Sequence, residues 1–535
     1  MLKVFFLSFA IGWTFFSLSV SAAETVLSHG YVLCGAYAGQ TTVLIGKDGQ
    51  TLFTWNHPNL NGYSVYLLEN GNLLRTAQVD KDVKVPPGAG PIQGIVEEVD
   101  PTGAVVWSYQ LSNDTFCLHH DIKPMPNGNF LACSFEARTK AEAKAVGVDT
   151  ALFPKRSTGA KVLLSERIIE VNPKAAAGQQ IVWQWLLWDH IVPDSQAAEH
   201  PELFNGSAGT PAGNQWVHLN GIDYCPRTDL IVFTSRLLSE LFVIDHGTTT
   251  QEAAGHTGGK RGKGGDFLYR WGNPTNYDTT ATQLIHVLHC PTWIQDGYSG
   301  AGNILFFHNN SDLTNTSVTR VSEVIEVSPP LNDKGEFIKS PGVPFGPTEP
   351  TWKYAPADSF SSFAMSSAFR LANGNTLVHE AYPEGSMNTN SRLREVTREQ
   401  KILWSCSIGL KSDVPDTGKY TMAWNPAKIM YYPSDYAGII NLFAKIGNAA
   451  RRLHESPLRS NARLHFNQLE NRITIENAAG VKVSLYSLQG KRVASARAET
   501  NRLRYSTRRL SPGMYCVRVK SADRTISSQT IAVIP

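Results

Sequence analysis

A phrase that recurs between residues 32 and 410 constrains this 535-residue chain more than any other feature. Each copy has a turn with Gly, a short strand-like run ending near Trp, a gap, a second run, and a tight Asn-Gly or similar turn. Asp48-Gly49-Gln50-Thr51-Leu52-Phe53-Thr54-Trp55 leads to Glu69-Asn70-Gly71-Asn72, and Thr102-Gly103-Ala104-Val105-Val106-Trp107 leads to Asn127-Gly128-Asn129. Trp185, Trp271, Trp352 and Trp404 take comparable places, so six copies fit. Asn-Gly between apolar runs signals a hairpin, because both turn residues must tolerate positive φ. Runs such as Leu230-Ile231-Val232-Phe233-Thr234 support strands, and helical periodicity is scarce before residue 426. Four-stranded units repeated about six times close most naturally into a β-propeller, where ring closure protects the strand edges. A pair of β-sandwiches is the rival architecture. Long insertions near 140–165, 190–215 and 247–266 are expected to build a site on one face.

The two ends of the chain read differently from its middle. Lys3, an apolar run from Val4 to Val20, and Ser21-Ala22-Ala23-Glu24 form the pattern of a secretory signal peptide over 1–23. An uncleaved anchor is the alternative, and no later stretch is long and apolar enough to span a bilayer. The propeller is then expected over 24–430 and a linker over 431–460, in which Ile439–Leu453 could form a short amphipathic helix. From Arg451 onward there are sixteen Lys or Arg against five Asp or Glu, a balance of +11, whereas everything before it carries −8. That shift marks a second body, a small all-β C-terminal sandwich over 461–535. Its cations are spread singly through strand-like text, which argues against nucleic acid as a partner. The seven cysteines form no CxxC pair, and their odd number leaves at least one thiol unpaired within a monomer.

Four strings place polar side chains in strand contexts that would not tolerate them without a purpose. They are Leu118-His119-His120-Asp121-Ile122, Trp216-Val217-His218-Leu219-Asn220, Thr234-Ser235-Arg236, and His286-Val287-Leu288-His289-Cys290-Pro291-Thr292-Trp293. The inner ends of propeller blades converge on one axial channel, so residues distant in sequence can meet there. A neutral imidazole can act as a nucleophile. The planar arginine cation can hold two oxygens of an anionic group. A second histidine can give a proton to a leaving group and take one from an incoming nucleophile. Because consecutive strand residues face opposite ways, only one of His119 and His120 is expected in the channel.

Taken together and in this order, the strings resemble the arylsulfotransferase family from about residue 30 to 430. The likeness includes Val243-Ile-Asp-His-Gly-Thr-Thr-Thr-Gln-Glu-Ala-Ala-Gly-His-Thr-Gly-Gly-Lys, Leu268-Tyr-Arg-Trp-Gly-Asn-Pro, Trp188-Asp189-His190 and His200-Pro201-Glu202-Leu203. The resemblance implies a six-bladed propeller and a ping-pong transfer from a phenolic sulfate ester to a phenolic acceptor, through a sulfohistidine and without a nucleotide sulfate donor. It implies catalytic roles for His289 as nucleophile, His218, Arg236, and either His119 or His120, and substrate binding by Asn220 and His190. The family's Gln, Asp and Ala around the nucleophile are Leu288, Cys290 and Pro291 here, so a group that fixes the imidazole tautomer is missing from the string. The C-terminal strands, with the turn Pro512-Gly513-Met514-Tyr515, resemble the sorting domain of proteins secreted through the type IX system. That implies a secreted or cell-surface protein with the secretion machinery as a partner. A monomer is expected, because the propeller pattern starts almost at the mature N-terminus and leaves no room for the N-terminal β domain through which some relatives dimerise.

The competing readings are a quinone-dependent dehydrogenase, a metal enzyme and a non-catalytic adhesion propeller. No blade-wise tryptophan docking signature or adjacent-cysteine pair supports the first, and no HExxH or carboxylate-rich ligand cluster supports the second, so neither cofactor nor metal is expected. The third rests on the substitutions around His289. Gly255–Gly265, with Lys260, Arg261 and Lys263, reads as a flexible loop whose cations could steer anionic sulfate esters.

Overall fold

The computed structural model describes residues 30–46, 49–79, 84, 86, 93–149, 162–209, 214–278, 280–310, 321–356, 360–386, 389–409 and 425–453, together with 463–467, 472–476, 482–487, 492–497, 502–510, 513–521 and 524–533. The expected signal segment 1–23 lies outside the described residues. Six four-stranded antiparallel sheets form the six blades of a β-propeller. Blade two runs Asn61–Leu67, Leu73–Ala77, Ile95–Val99 and Val105–Gln110 from the inside outward, and blade three Phe116–Pro124, Phe130–Thr139, Val162–Val171 and Ile181–Leu186. Blade four is Leu219–Cys225, Leu230–Ser235, Glu240–Asp245 and Tyr269–Trp271, and blade five Leu288–Trp293, Ile304–His308, Glu323–Val327 and Trp352–Tyr354. Blade six is Ser367–Arg370, Thr376–Glu380, Ser391–Val396 and Ile402–Ile408.

Blade one is built differently, since its outer three strands, Gly30–Ala36, Thr41–Ile45 and Thr51–Asn56, take their innermost partner from Pro426–Pro433. Leu33 pairs with Met430 and Cys34 with Ile429. Residues 426–433, where the recurrent phrase has faded, therefore complete the ring. The inner strands contact one another in a closed circuit from blade one through blade six.

The repeated phrase has a physical explanation on each of its two halves. All six tryptophans lie on the outermost strand of a blade and enter the apolar cluster between that blade and the next. Trp55 packs with Val65, Leu67 and Leu73, Trp185 with Ile222 and Phe233, and Trp404 with Val32 and Val43. Trp271, Trp107 and Trp352 do the same at the remaining three seams. Truncating such a wedge to Ala costs about 3–5 kcal/mol. In the Asn-Gly-Asn half, both asparagine amides donate to one glutamate on the third strand. Asn70 and Asn72 reach Glu98 at 2.9 and 2.6 Å, Asn127 and Asn129 reach Glu170 at 3.0 and 2.6 Å, and Asn373 and Asn375 reach Glu395 at 3.0 and 2.6 Å. The turn that reverses the chain thus also staples the third strand.

A buried ionic group joins four blades at the axis. Lys428 on the closing strand donates to Asp121 at 2.8 Å, and Asp121 also accepts from Tyr66 Oη at 3.3 Å and from the Ile122 and Ile222 amides at 3.0 and 3.3 Å. After the ring closes, helix Ala437–Leu453 starts two residues earlier than expected and packs Ile439, Leu442 and Phe443 into the seam of blades one and two. Asn441 donates to the Glu69 carbonyl and Lys445 to Asn72 Oδ1, each at 2.7 Å. Gly71, at φ +82°, sits so close beneath that a Cβ would lie 2.7 Å from the Leu442 amide, so the turn needs glycine for space as well as for its backbone angle. Among the described residues no helix is long and apolar enough to cross a membrane.

The C-terminal strands form a three-stranded sheet, Arg463–Asn467, Arg472–Glu476 and Arg502–Ser506, and a four-stranded sheet, Arg492–Arg497, Lys482–Ser487, Gly513–Ser521 and Arg524–Val533. Ile473 and Ile475 of the first share one apolar cluster with Val483, Leu485, Tyr515 and Val517 of the second. Cys34, Cys117, Cys133, Cys225 and Cys290 are free thiols.

Candidate active site

The inner strands do not run straight through the axis. Register shifts break the pairing between Leu118 and Ile122, between Leu219 and Gly221, and between His289 and Thr292. At or beside these bulges His120, His218 and Cys290 hold φ of +51°, +58° and +52°, a left-handed region that non-glycine residues enter at a cost and that clusters at functional sites.

Three imidazoles result, each held through Nδ1. His289 Nδ1 lies 2.5 Å from Asn309 Oδ1, while the Asn309 amide nitrogen donates to the Ser362 and Met365 carbonyls at 2.7 and 3.2 Å. Those two acceptors fix which way the Asn309 amide points, so its oxygen faces the ring and His289 Nδ1 carries the hydrogen. His289 Nε2 is left with a lone pair. His218 Nδ1 is bonded in the same way to Gln215 Oε1. His120 Nδ1 meets His119 Nδ1 at 2.8 Å, and His119 Nε2 donates to Glu166 Oε2 at 2.8 Å. The His120 and His218 rings stand edge to face at 4.6 Å. His119 lies behind them, stacked 3.6 Å from Phe135, and Glu166 is fixed by the Leu219 amide at 3.0 Å.

Arg236 joins this group without an anionic partner. Its backbone amide donates to the His218 carbonyl at 3.1 Å, yet among the described residues the guanidinium makes no hydrogen bond or ion pair. Burial lowers its value, but an arginine stays charged. Burial first and then the Arg236 charge push His289 down to about 3. Burial, followed by neighbouring positive charge that includes Arg236, holds His120 and His218 well below the usual imidazole range. The arrangement is a permanent cation among neutral nucleophilic rings.

Two of the expected site residues are bonded to groups other than the three rings. Asn220 is fully buried, donates to the Leu288 carbonyl at 2.7 Å and accepts from Thr234 Oγ1 at 2.7 Å. It ties blade four to the strand that carries His289. His190 lies elsewhere, with Nδ1 2.9 Å from Asp266 and Nε2 2.8 Å from the Ala253 carbonyl, stacked on Trp185. Both its nitrogens have partners outside the histidine group. The Gly-rich loop is likewise tied down: Lys260 pairs with Asp229 at 2.6 Å and Arg261 with Asp245 at 2.7 Å, which takes two of its three cations away from steering.

Other residues near the rings went unread in the sequence. Asn309 supplies the oxygen that the family string places next to the nucleophile, and its only sequence signal is a polar pair following the apolar run Ile304–Phe307. Cys290, at that next position, is buried and its thiol is pushed up to about 12 by burial, so it is a neutral packing group. Glu166, a charged residue inside a buried strand, was visible by the same rule that picked out the histidines. Tyr63 lies 5.2 Å from the His120 ring, and its buried hydroxyl has no hydrogen-bond partner among the described residues. Beside this group, a polar cavity of about 830 Å³ opens between Leu237, Ser239, Asn273, Gln283 and His286. Leu237 follows Arg236 in sequence, and His286 lies three residues before His289.

Comparison with known proteins gives two family matches. A model described as Arylsulfotransferase (ASST) matches residues 38–329, more than half of the chain. A secretion system C-terminal sorting domain matches residues 467–533 and marks the chain for export to the cell surface or the medium. No curated protein matches the chain. Among solved structures, the propeller domain of Cps50 (Swd1) from Myceliophteria thermophila is 12% identical, covering 70% of this chain and 85% of that one with a TM-score of 0.32. Dihydro-heme d1 dehydrogenase NirN is 9% identical, covering 89% and 75% at 0.30, and apo AztD from Citrobacter koseri is 8% identical, covering 89% and 98% at 0.30. At these scores the likenesses carry no argument.

Proposed function

The chain belongs to the arylsulfotransferase family, and from that premise we propose that it moves a sulfuryl group from a phenolic sulfate ester to a phenolic acceptor by two displacements at His289. The family supports aryl sulfotransferase activity and phenolic sulfate substrates in general terms. The single observation that carries the finer reading is the tautomer of His289. Asn309 holds the hydrogen on Nδ1, leaving Nε2 as a nucleophile that is neutral at any physiological pH.

In the first half-reaction the donor's sulfate binds Arg236, whose planar fork matches two sulfuryl oxygens. His289 Nε2 attacks sulfur, the bond from sulfur to the aryl oxygen breaks, and its electron pair leaves on that oxygen. His218 or His120 delivers the proton that turns the aryloxide into a phenol. Both rings are neutral before donor arrives; the ester's negative charge offsets that of Arg236 and favours taking up the proton. The Tyr63 hydroxyl is free to donate to the same anion. In the second half-reaction an acceptor phenol gives its proton to the waiting imidazole as its oxygen attacks sulfur, and the electrons of the N–S bond return to Nε2. Splitting one displacement into two lets donor and acceptor use the same pocket in turn. Glu166 and His119 position His120 from behind, and Asn220 and Asn309 position His289.

The test is to quench the protein after donor alone. The peptide containing His289 should gain one SO₃ unit, stable to base and labile to acid, and His289→Asn should lose both adduct and acceptor-dependent turnover with its thermal midpoint nearly unchanged. An adduct on His120 or His218 would reassign the nucleophile, and turnover with no adduct on any histidine would remove the double displacement.

A further inference from the structure

We propose that His190, His256 and Asp266 form a binding site for a divalent transition-metal ion of the zinc class. The site is distinct from the sulfuryl-transfer histidines and lies where the insertion after blade three meets the Gly-rich loop of blade four. One ligand atom from each of the three residues lies within 4.8 Å of the others. His190 Nδ1 and His256 Nδ1 approach the same Asp266 oxygen at 2.9 and 2.8 Å.

The hydrogen bond on the far side of His190 decides what this means. Its Nε2 is 2.8 Å from the Ala253 carbonyl oxygen, which can only accept, so Nε2 carries the hydrogen. The Nδ1 lone pair then faces a carboxylate oxygen, an arrangement that needs a positive centre between them. A backbone carbonyl on the outer nitrogen is the usual support of a metal-bound imidazole. Ligands each about 2.1 Å from a zinc ion lie about 3 to 3.5 Å apart, close to the separations observed here.

The surroundings are shaped to hold the three groups. His190 is fully buried and Asp266 almost so, while His256 is 57% exposed and leaves one side open to water. Trp185 stacks on His190 at 5.5 Å and donates Nε1 to the Gly265 carbonyl at 2.8 Å. A Cβ on Gly265 would lie 2.6 Å from His190 Nε2, so the loop passes the ring only as glycine. Two imidazoles and one carboxylate suit zinc, cobalt or nickel and not calcium or magnesium, which prefer all-oxygen sets. Such an ion would fasten residues 187–205 to residues 247–266, two insertions with little secondary structure of their own.

The rival is a purely hydrogen-bonded triad with a protonated His190. Mature protein, stripped with chelator and titrated with ZnCl₂, should take up one equivalent and gain a higher thermal midpoint. CoCl₂ should give a visible ligand-field band, and CaCl₂ should change neither. His256→Ala alters an exposed side chain, leaves the fold intact, and should weaken Zn²⁺ binding at least about a hundredfold, the upper end of what losing a mere supporting partner costs. Asp266→Asn should do the same. Absence of Zn²⁺ uptake by folded wild-type protein would overturn the site, as would undiminished binding by His256→Ala. Because the readouts are stoichiometry, midpoint and spectrum, they stand whether or not sulfuryl transfer proceeds as proposed.

Discussion

Asn309→Leu keeps roughly the side-chain volume and deletes three hydrogen bonds, to His289, Ser362 and Met365. The Ser362 carbonyl keeps the Ser322 hydroxyl at 3.4 Å, so two groups lose their partner outright, the part-buried Met365 carbonyl and the buried His289 Nδ1 hydrogen. At about 1–3 kcal/mol for the buried hydrogen and less for the part-buried carbonyl, folding should weaken by about 1–4 kcal/mol. The catalytic loss is larger. Without an acceptor at Nδ1 the hydrogen also populates Nε2, the atom that must attack, and a misprotonated catalytic imidazole lowers turnover by up to about 10⁴. A fall in kcat between roughly 10² and 10⁴ is expected, with the donor KM within a few-fold because Arg236 is untouched. Asn309→Asp separates tautomer from charge: it keeps an acceptor at Nδ1 but places an anion there, which lifts His289 from about 3 back toward the ordinary range by about 1.4 kcal/mol per unit. Below its new value that ring is protonated at Nε2 and inert, so the Asp variant should acquire an acid limb in its pH–rate profile that the wild type lacks above about pH 4. Release of phenol from a chromogenic aryl sulfate with saturating acceptor reads both variants. A wild-type kcat for folded Asn309→Leu would refute the orientation argument and with it the support for His289 as nucleophile.

Arg236→Lys should lower turnover by roughly tenfold to a thousandfold, because one ammonium cannot span two sulfuryl oxygens; an unchanged rate would make the arginine structural. His57, His289 and His379 are buried and each sits near 3, below the ~6.5 of the unfolded chain. The unfolded state therefore binds more protons as pH falls below about 6.5, and stability should drop by about 1.4 kcal/mol per pH unit per histidine down to about 3; urea midpoints that do not fall between neutrality and mild acid would contradict this. Lys428→Met should cost about 3–5 kcal/mol by leaving the buried Asp121 charge without its cation. The double variant with Asp121→Asn should recover much of that, and an additive loss would show that the pair is not coupled.

The fold was legible because it is repetitive. A tryptophan at every seam and an Asn-Gly-Asn clamp in three blades are local features that serve the same packing need each time, so they leave a period in the sequence. The site is legible only where it breaks local rules: His120, His218, His289 and Arg236 stand out as polar groups in apolar strands, and the structure brings them together. What supports them is not legible. Asn309 and Gln215 are ordinary polar residues outside the blade strands, and only the bulges that turn the rings determine what those amides meet. A matching phrase does not say where a side chain points, and the His190 ring meets Asp266 and the Ala253 carbonyl. The inner strand Pro426–Pro433 was hidden for a different reason: it has neither tryptophan nor turn signature, since its neighbours in space supply both.

The pairing of Leu33 with Met430 sets an order of events during biogenesis. The three N-terminal strands of blade one emerge first and must wait, with an unpaired inner edge, until nearly the whole propeller has been synthesised and exported. Such long-range pairing is slow to form and leaves a template for association with other chains. It also defers the buried bond between Lys428 and Asp121, which bridges residues 307 positions apart, to the final step. An interrupted or truncated chain therefore lacks the axial pin on which the histidine-bearing strands converge, and sulfuryl transfer should become possible only once the ring has closed on the far side of the membrane.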